Sequence, residues 1–145
     1  MNHQLSARIA LSILSAVQGA ATVAIDFNRT HATNPSWTGH ARFHIVWQIG
    51  TVVFLSVSGL LLIWAPAFSS TQCFYLASLL TALSPLGFLT AFLFRKVYGG
   101  TLNDPNGIPQ LHLDLFGEIL TIDMNLVAVT AALVSLLGII VVYKQ

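Results

Sequence analysis

The sequence predicts an all-α, single-domain transmembrane four-helix bundle, and three observations carry that prediction. Of its 145 residues, 55% are hydrophobic and only 8% are charged, whereas roughly a quarter of a soluble domain is charged. Its mean hydropathy is +0.77. Four apolar stretches, near residues 5–26, 43–66, 72–95 and 117–143, each reach the ~20 residues that a helix needs to cross the hydrocarbon core of a bilayer. They leave little chain for anything else, so residues 1–145 read as one multi-pass unit integral to a membrane.

The first stretch carries Arg8 near its start and the small residues of "GAAT" near its end, a pattern shared with secretory signals; it is expected to remain as a span. Gln18, Thr22 and Asp26 recur at i, i+4 and i+8 and so form one polar stripe on it. Such a stripe should face the bundle interior, because a carboxylate in hydrocarbon is costly and usually functional. In the connection that follows, Asn34-Pro35 initiates a turn, and Ser36 or Thr38 can cap the next helix. Asn28-Arg29-Thr30 fits a glycosylation acceptor but reads as accidental so close to the membrane, and the proline excludes Asn34-Pro35-Ser36.

In the second stretch His40 and His44 lie one turn apart, with Trp47, Gln48 and Thr51 continuing their stripe. Arg42 points about 200° away from both histidines. Its charge cannot be neutralised, so it must reach headgroups or a carboxylate. Asp26 or Asp123 is the expected partner, making Arg42 a clamp on the rotation of helix 2. Pro85 should kink the third helix, and Arg95-Lys96 at its end suits a headgroup anchor. "NDPNGIPQ" is a turn-rich segment leading to His112 and the last span. On that span a helical period puts Asp114, Glu118, Thr121 and Asn125 on one face, and His112 and Asp123 on nearly the opposite one.

Four spans place both termini and the "PAFSSTQ" connection at one end, here the plain end. The opposite, polar end then collects Asp26, Asp104, Asp114, Glu118 and Asp123 with His31, His40, His44 and His112. The plain end has only His3, Arg8 and Lys144. Arg29, Arg42, Arg95 and Lys96 at the polar end predict that this end is cytoplasmic.

Imidazoles at i, i+4 and carboxylates at i, i+4 are the donors that hold zinc or a pair of irons between helices. The candidate metal ligands are therefore His31, His40, His44, His112, Asp114 and Glu118. Candidate acids and bases are Glu118, Asp114 and Asp123, and candidate ligand-binding groups are Trp47, Gln48, Asn125 and Asp26. Two metal-free readings stand beside this one: an ion-pair network closed by Arg42, and acid–base catalysis or ligand binding. His31 also suits a solvated loop or an interface anchor, and Trp37, Trp47 and Trp64 suit belt or packing positions. The pattern lacks the Glu-x-x-His pairs of soluble di-iron bundles and the repeated histidine boxes of membrane desaturases and alkane hydroxylases. A single cysteine, Cys73, excludes an internal disulfide and the CxxC chemistry of quinone-linked disulfide oxidoreductases. A net charge of +1 gives no nucleic-acid footprint.

The stretch "HATNPSWTGHARFH" resembles the signature of a family of small, mainly bacterial four-span membrane proteins, close to His-x-x-Asn-Pro-x-Trp-x-x-His-Ala-Arg-Phe-His. His31, Asn34, Pro35, Trp37, His40, Ala41, Arg42, Phe43 and His44 match it, while Thr38 and Gly39 stand where the family carries a proline-rich pair. The resemblance groups these residues and implies a four-span fold without assigning a reaction. By architecture and intramembrane acids alone, the chain is also loosely similar to the EXPERA group, which implies a lipid or sterol ligand and no metal. The expected function is a small membrane enzyme acting on a lipid-soluble substrate, with zinc or iron held by histidines and carboxylates. The alternatives are a non-catalytic lipid or sterol binder or EXPERA-like isomerase, and a proton or ion pathway. The implied partners are a lipid or lipid-soluble molecule and the membrane itself; the sequence sets no oligomeric state.

Overall fold

The structure is a computed structural model, and it describes residues 2–65, 70–103 and 109–145. Asp104 and part of the "PAFSSTQ" and "NDPNGIPQ" segments lie outside the described residues. Four helices are long and apolar enough to cross a membrane: α1 (His3–Asp26), α2 (Gly39–Trp64), α3 (Thr71–Phe94) and α4 (Met124–Tyr143). Each begins on a side chain that accepts from an otherwise unpaired amide: Asn2 from Leu5, Thr38 from Ala41, Ser70 from Cys73 and Asp123 from Leu126. Thr38 therefore starts α2 four residues before the apolar stretch, and His40 falls inside its first turn. Pro85 lies within α3, which runs continuously past it.

The predicted start of the last span is overturned. Residues 111–122 form a hairpin of β1 (Leu111–Leu115) and β2 (Glu118–Ile122), and α4 begins only at Met124. Leu111, Leu113 and Leu115 alternate with His112 and Asp114, a period of two. Phe116 and Gly117 turn the chain with φ of 58° and 88°, the positive pair that a tight two-residue hairpin requires. Asp114 Oδ1 accepts the Gly117 amide at 2.9 Å. Asp114, Glu118, Thr121 and Asn125 consequently share no helical face, and Asp123 is a cap rather than a mid-helix residue.

The helices run alternately up and down. At the plain end, the Arg8 guanidinium donates to the Ile63 carbonyl at 2.8 Å. Trp64 Nε1 donates to Ser12 Oγ at 2.7 Å, and the Phe74 and Tyr143 rings stack with centroids 3.7 Å apart. Ala7, Leu11, Ile63, Phe74, Ala77, Leu136 and Tyr143 form the buried core at this end. Large apolar side chains such as Phe54, Leu93, Val134 and Leu137 cover the outside, as a lipid-facing surface requires.

Small residues set the helix spacing at mid-height. A Cβ on Gly19 would meet Ser56 Oγ at 3.0 Å, and one on Gly59 would meet Ser15 Oγ at 3.2 Å. Close approach through Gly and Ser is how helices associate where no hydrophobic difference between protein and lipid drives them. Thr81 Oγ1 donates to the Ala77 carbonyl at 2.9 Å, which leaves it an acceptor for Ser15 Oγ at 3.0 Å. Beyond this hydroxyl pair, towards the polar end, the bundle opens.

Candidate functional site: a cavity closed at one end

A cavity of about 1110 Å³ occupies the polar half of the bundle and is lined by all four helices. Its walls are apolar or small, including Leu55, Leu83, Phe88, Ala128, Val129 and Ala132. Its polar groups are Gln18, Thr22 and Asp26 on α1, His31 in the following loop, His44, Gln48 and Thr51 on α2, Ser84 on α3 and Asn125 on α4. The α1 stripe thus faces inward; Gln18 to Asp26 is eight residues, about 12 Å of helix rise. Of the predicted ligand-binding groups, Asp26, Trp47, Gln48 and Asn125 all line this cavity.

The loop between α1 and α2 is built to hold His31. Asn28 Nδ2 donates to the Ala24 and Ile25 carbonyls at 3.0 and 2.8 Å and so finishes α1. Asn28 Oδ1 accepts from the Thr30 amide and hydroxyl at 2.8 and 2.7 Å. Asn34 is fully buried; its Nδ2 donates to the Thr30 carbonyl at 3.0 Å and its Oδ1 accepts the Ser36 amide at 2.9 Å. The Trp37 ring meets His31 edge-on, with centroids 5.4 Å apart. Much of the "HATNPSW" motif is therefore loop architecture, with His31 as the side chain it presents to the cavity.

His31 Nδ1 lies 2.7 Å from Thr30 Oγ1 and 3.8 Å from Asp26 Oδ1. The single Thr30 hydroxyl proton goes to Asn28 Oδ1, so Nδ1 is the donor towards Thr30. In the neutral ring, Nε2 then keeps its lone pair. Asp26 and His31 are both largely withdrawn from solvent, with side chains 19% and 23% exposed.

His40 and His44 point at one another across one turn of α2, Nε2 to Nε2 at 3.0 Å with the rings perpendicular. One nitrogen must carry the shared hydrogen and the other accept it. His44 also stacks on Trp47, with centroids 5.8 Å apart, and lines the cavity; both histidines are exposed.

The remaining candidates lie elsewhere. His112 Nδ1 pairs with Thr121 Oγ1 at 3.2 Å on the hairpin. Asp114 holds the turn, and Glu118 is exposed opposite Leu115. Asp123 Oδ1 accepts the Leu126 amide at 3.0 Å. Among the described residues, no three His, Cys, Asp or Glu side chains come together as a metal site. The shell of His40, His44, Asp114 and Glu118 is not gathered, because two of its members are strand residues. The expected clamp is corrected too: Asp26 meets His31, Asp123 caps α4, and Arg42 is exposed, as a headgroup contact requires.

Sequence reasoning passed over the α3 wall and the small residues Gly87, Ala128 and Ala132. Ala128 and Ala132, four apart on α4, were a readable signal for a space kept free of bulk. The arrangement defines a class: a four-helix bundle of membrane-spanning helices with an internal cavity that is apolar-walled and polar at one end. No family model, curated protein or solved structure matches the chain.

Proposed function

We propose that this chain is a small membrane enzyme that admits a lipid-soluble, amphipathic molecule into the cavity and acts on its polar head by proton transfer at His31 and Asp26. The carrying observation is the cavity itself: apolar walls for a hydrocarbon body, and an imidazole–carboxylate couple at the polar end. Concave, mostly apolar sites with a few convergent polar groups are the usual form of small-molecule sites. His31 is suited to the role of base because Thr30 and Asp26 hold its Nδ1 side and leave Nε2 with the lone pair. Thr22, Gln48 and Asn125 supply neutral hydrogen bonds to orient the head, and Gln18 lies about 12 Å deeper than Asp26 along α1.

The test is extraction and mass spectrometry of lipids that remain with protein purified in a mild detergent, followed by incubation of those lipids with the protein. Wild type should retain a defined amphipathic species and change it chemically; His31→Gln should retain it unchanged. Retention without conversion by wild type would support the non-catalytic binder, and no retained species would sink both readings.

A second reading rests on the His40 and His44 pair. Their Nε2 atoms converge to 3.0 Å from adjacent turns of α2, so both rings offer a nitrogen to the same point beside the cavity, and imidazole nitrogens are ordinary donors to zinc. These two rings would be the protein's donors to zinc or iron, and the ion would supply Lewis-acid chemistry beside the cavity mouth. Elemental analysis of untagged protein should then give near-stoichiometric metal that His44→Ala removes.

A further inference from the structure

The hairpin is two-sided, and its register shows how. Residues directly opposite in an antiparallel pair share a face, so Leu111 with Ile122, Leu113 with Leu120, and Leu115 with Glu118 form one side. His112 with Thr121 and Asp114 with Ile119 form the other. The first side is aliphatic apart from the carboxylate at its tip, and its four leucines are exposed. The strands contact each other far more than any helix, and an isolated two-stranded hairpin is marginal in water.

Phe116 sharpens the question. It occupies a left-handed turn position (φ 58°) that Asn or Gly fills at least cost, and its side chain is entirely exposed. A large apolar ring is thus held at the tip against local preference. What covers this surface follows from its attachment. Asp123 alone separates β2 from α4, a helix able to span the membrane. Five-residue strands reach at most about 17 Å from that point. Upright, the hairpin would carry its aliphatic side into water. Laid flat, it meets the upper acyl chains.

We propose that the hairpin lies in the lipid interface as an amphipathic flap, with Phe116 and the leucine face towards the acyl chains and the side of His112, Asp114 and Thr121, which carries Ile119 as its one aliphatic residue, towards water. Its two carboxylates, Asp114 and Glu118, suit the cationic groups of zwitterionic headgroups and disfavour an anionic surface. The proposal is independent of what the cavity binds.

The experiment uses the full chain with Cys73→Ser, reconstituted in phosphatidylcholine vesicles and labelled with an environment-sensitive fluorophore at one introduced cysteine. Phe116→Cys and Leu113→Cys report the buried side, and Thr121→Cys reports the opposite one. Lipids with a nitroxide near the headgroup should quench the first two labels several-fold more than aqueous iodide does, with the order reversed at Thr121. Adding phosphatidylglycerol should weaken quenching at 116. Equal iodide access at 113 and 121 would overturn the proposal. So would protection that grows with protein-to-lipid ratio, which would mean that a second copy covers the face. Leu113→Cys leaves the turn untouched, so a perturbed tip does not blunt the test.

Discussion

Asn34 shows how a single side chain can organise a site that it never enters. Its amide group uses both ends inside the protein, donating to the Thr30 carbonyl and accepting from the Ser36 amide. Thr30 in turn fixes the tautomer of His31. Asn34→Ala should therefore lower stability by about 1–3 kcal/mol, since a buried side chain is lost and two partly buried backbone groups lose their partners, measured by thermal or denaturant unfolding in detergent. Asn34→Asp should fare no better, because a carboxylate oxygen would then face the Thr30 carbonyl. The same residue marks what was legible at this scale. Asn-Pro announced a turn, and Thr38 announced a cap. That Asn34 is buried and that His31 turns inward depended on hydrogen bonds spanning the whole loop, which no local spacing encodes.

At the scale of elements, the four spans were readable because length and hydropathy alone decide them, whereas the hairpin was misread for a specific reason. A spacing of four residues returns to the same side of a helix, at 400°, so Asp114 and Glu118 read as one helical face; the turn at Phe116 and Gly117 separates them and puts them on opposite faces of the hairpin. The strict alternation at Leu111, Leu113 and Leu115 favours the strand, and Gly117 permits the turn. Phe116→Asn should strengthen the hairpin by roughly 1–2 kcal/mol through relief of the left-handed phenylalanine, seen as slower amide exchange of residues 111–122 in detergent. In vesicles, the same change should loosen the hairpin from the lipid surface, so exchange there should not slow.

Taken as a whole, the molecule is closed at one end and open at the other, and that gradient is written in residue size. Gly19, Ser56 and Gly59 draw the helices together at mid-height, while Gly87, Ala128 and Ala132 leave space beyond them. A Cβ added at Gly87 meets nothing within 4 Å. Gly87→Phe should thus fill the cavity without distorting α3. We expect a melting temperature equal to or above that of wild type and at least tenfold less co-purified lipid. A large drop in melting temperature would mean that the cavity collapses in the native protein. The polar end was legible as a cluster; its division into cavity, paired histidines and hairpin was not, because that division rests on where α4 begins.

The hydroxyl pair at Ser15 and Thr81, with the apolar residues packed beneath it, also determines how the protein experiences voltage. From Ser15 to Ala7 is eight residues, about 12 Å of rise, and the centre of the bundle there is filled by Leu11, Ile63, Phe74 and Leu136. Water entering from the polar end would carry the bulk potential down to the hydroxyls, so most of the field falls across this plug. Asp26 and His31 then sit near the potential of their own side, although they belong to a transmembrane bundle. A full unit charge moved through the field is worth about 2.3 kcal/mol per 100 mV; one bound at Asp26 would feel only a small part of it. In vesicles holding a potassium diffusion potential, the protein should pass neither protons nor alkali cations, and the amount of lipid that it retains should not change with voltage.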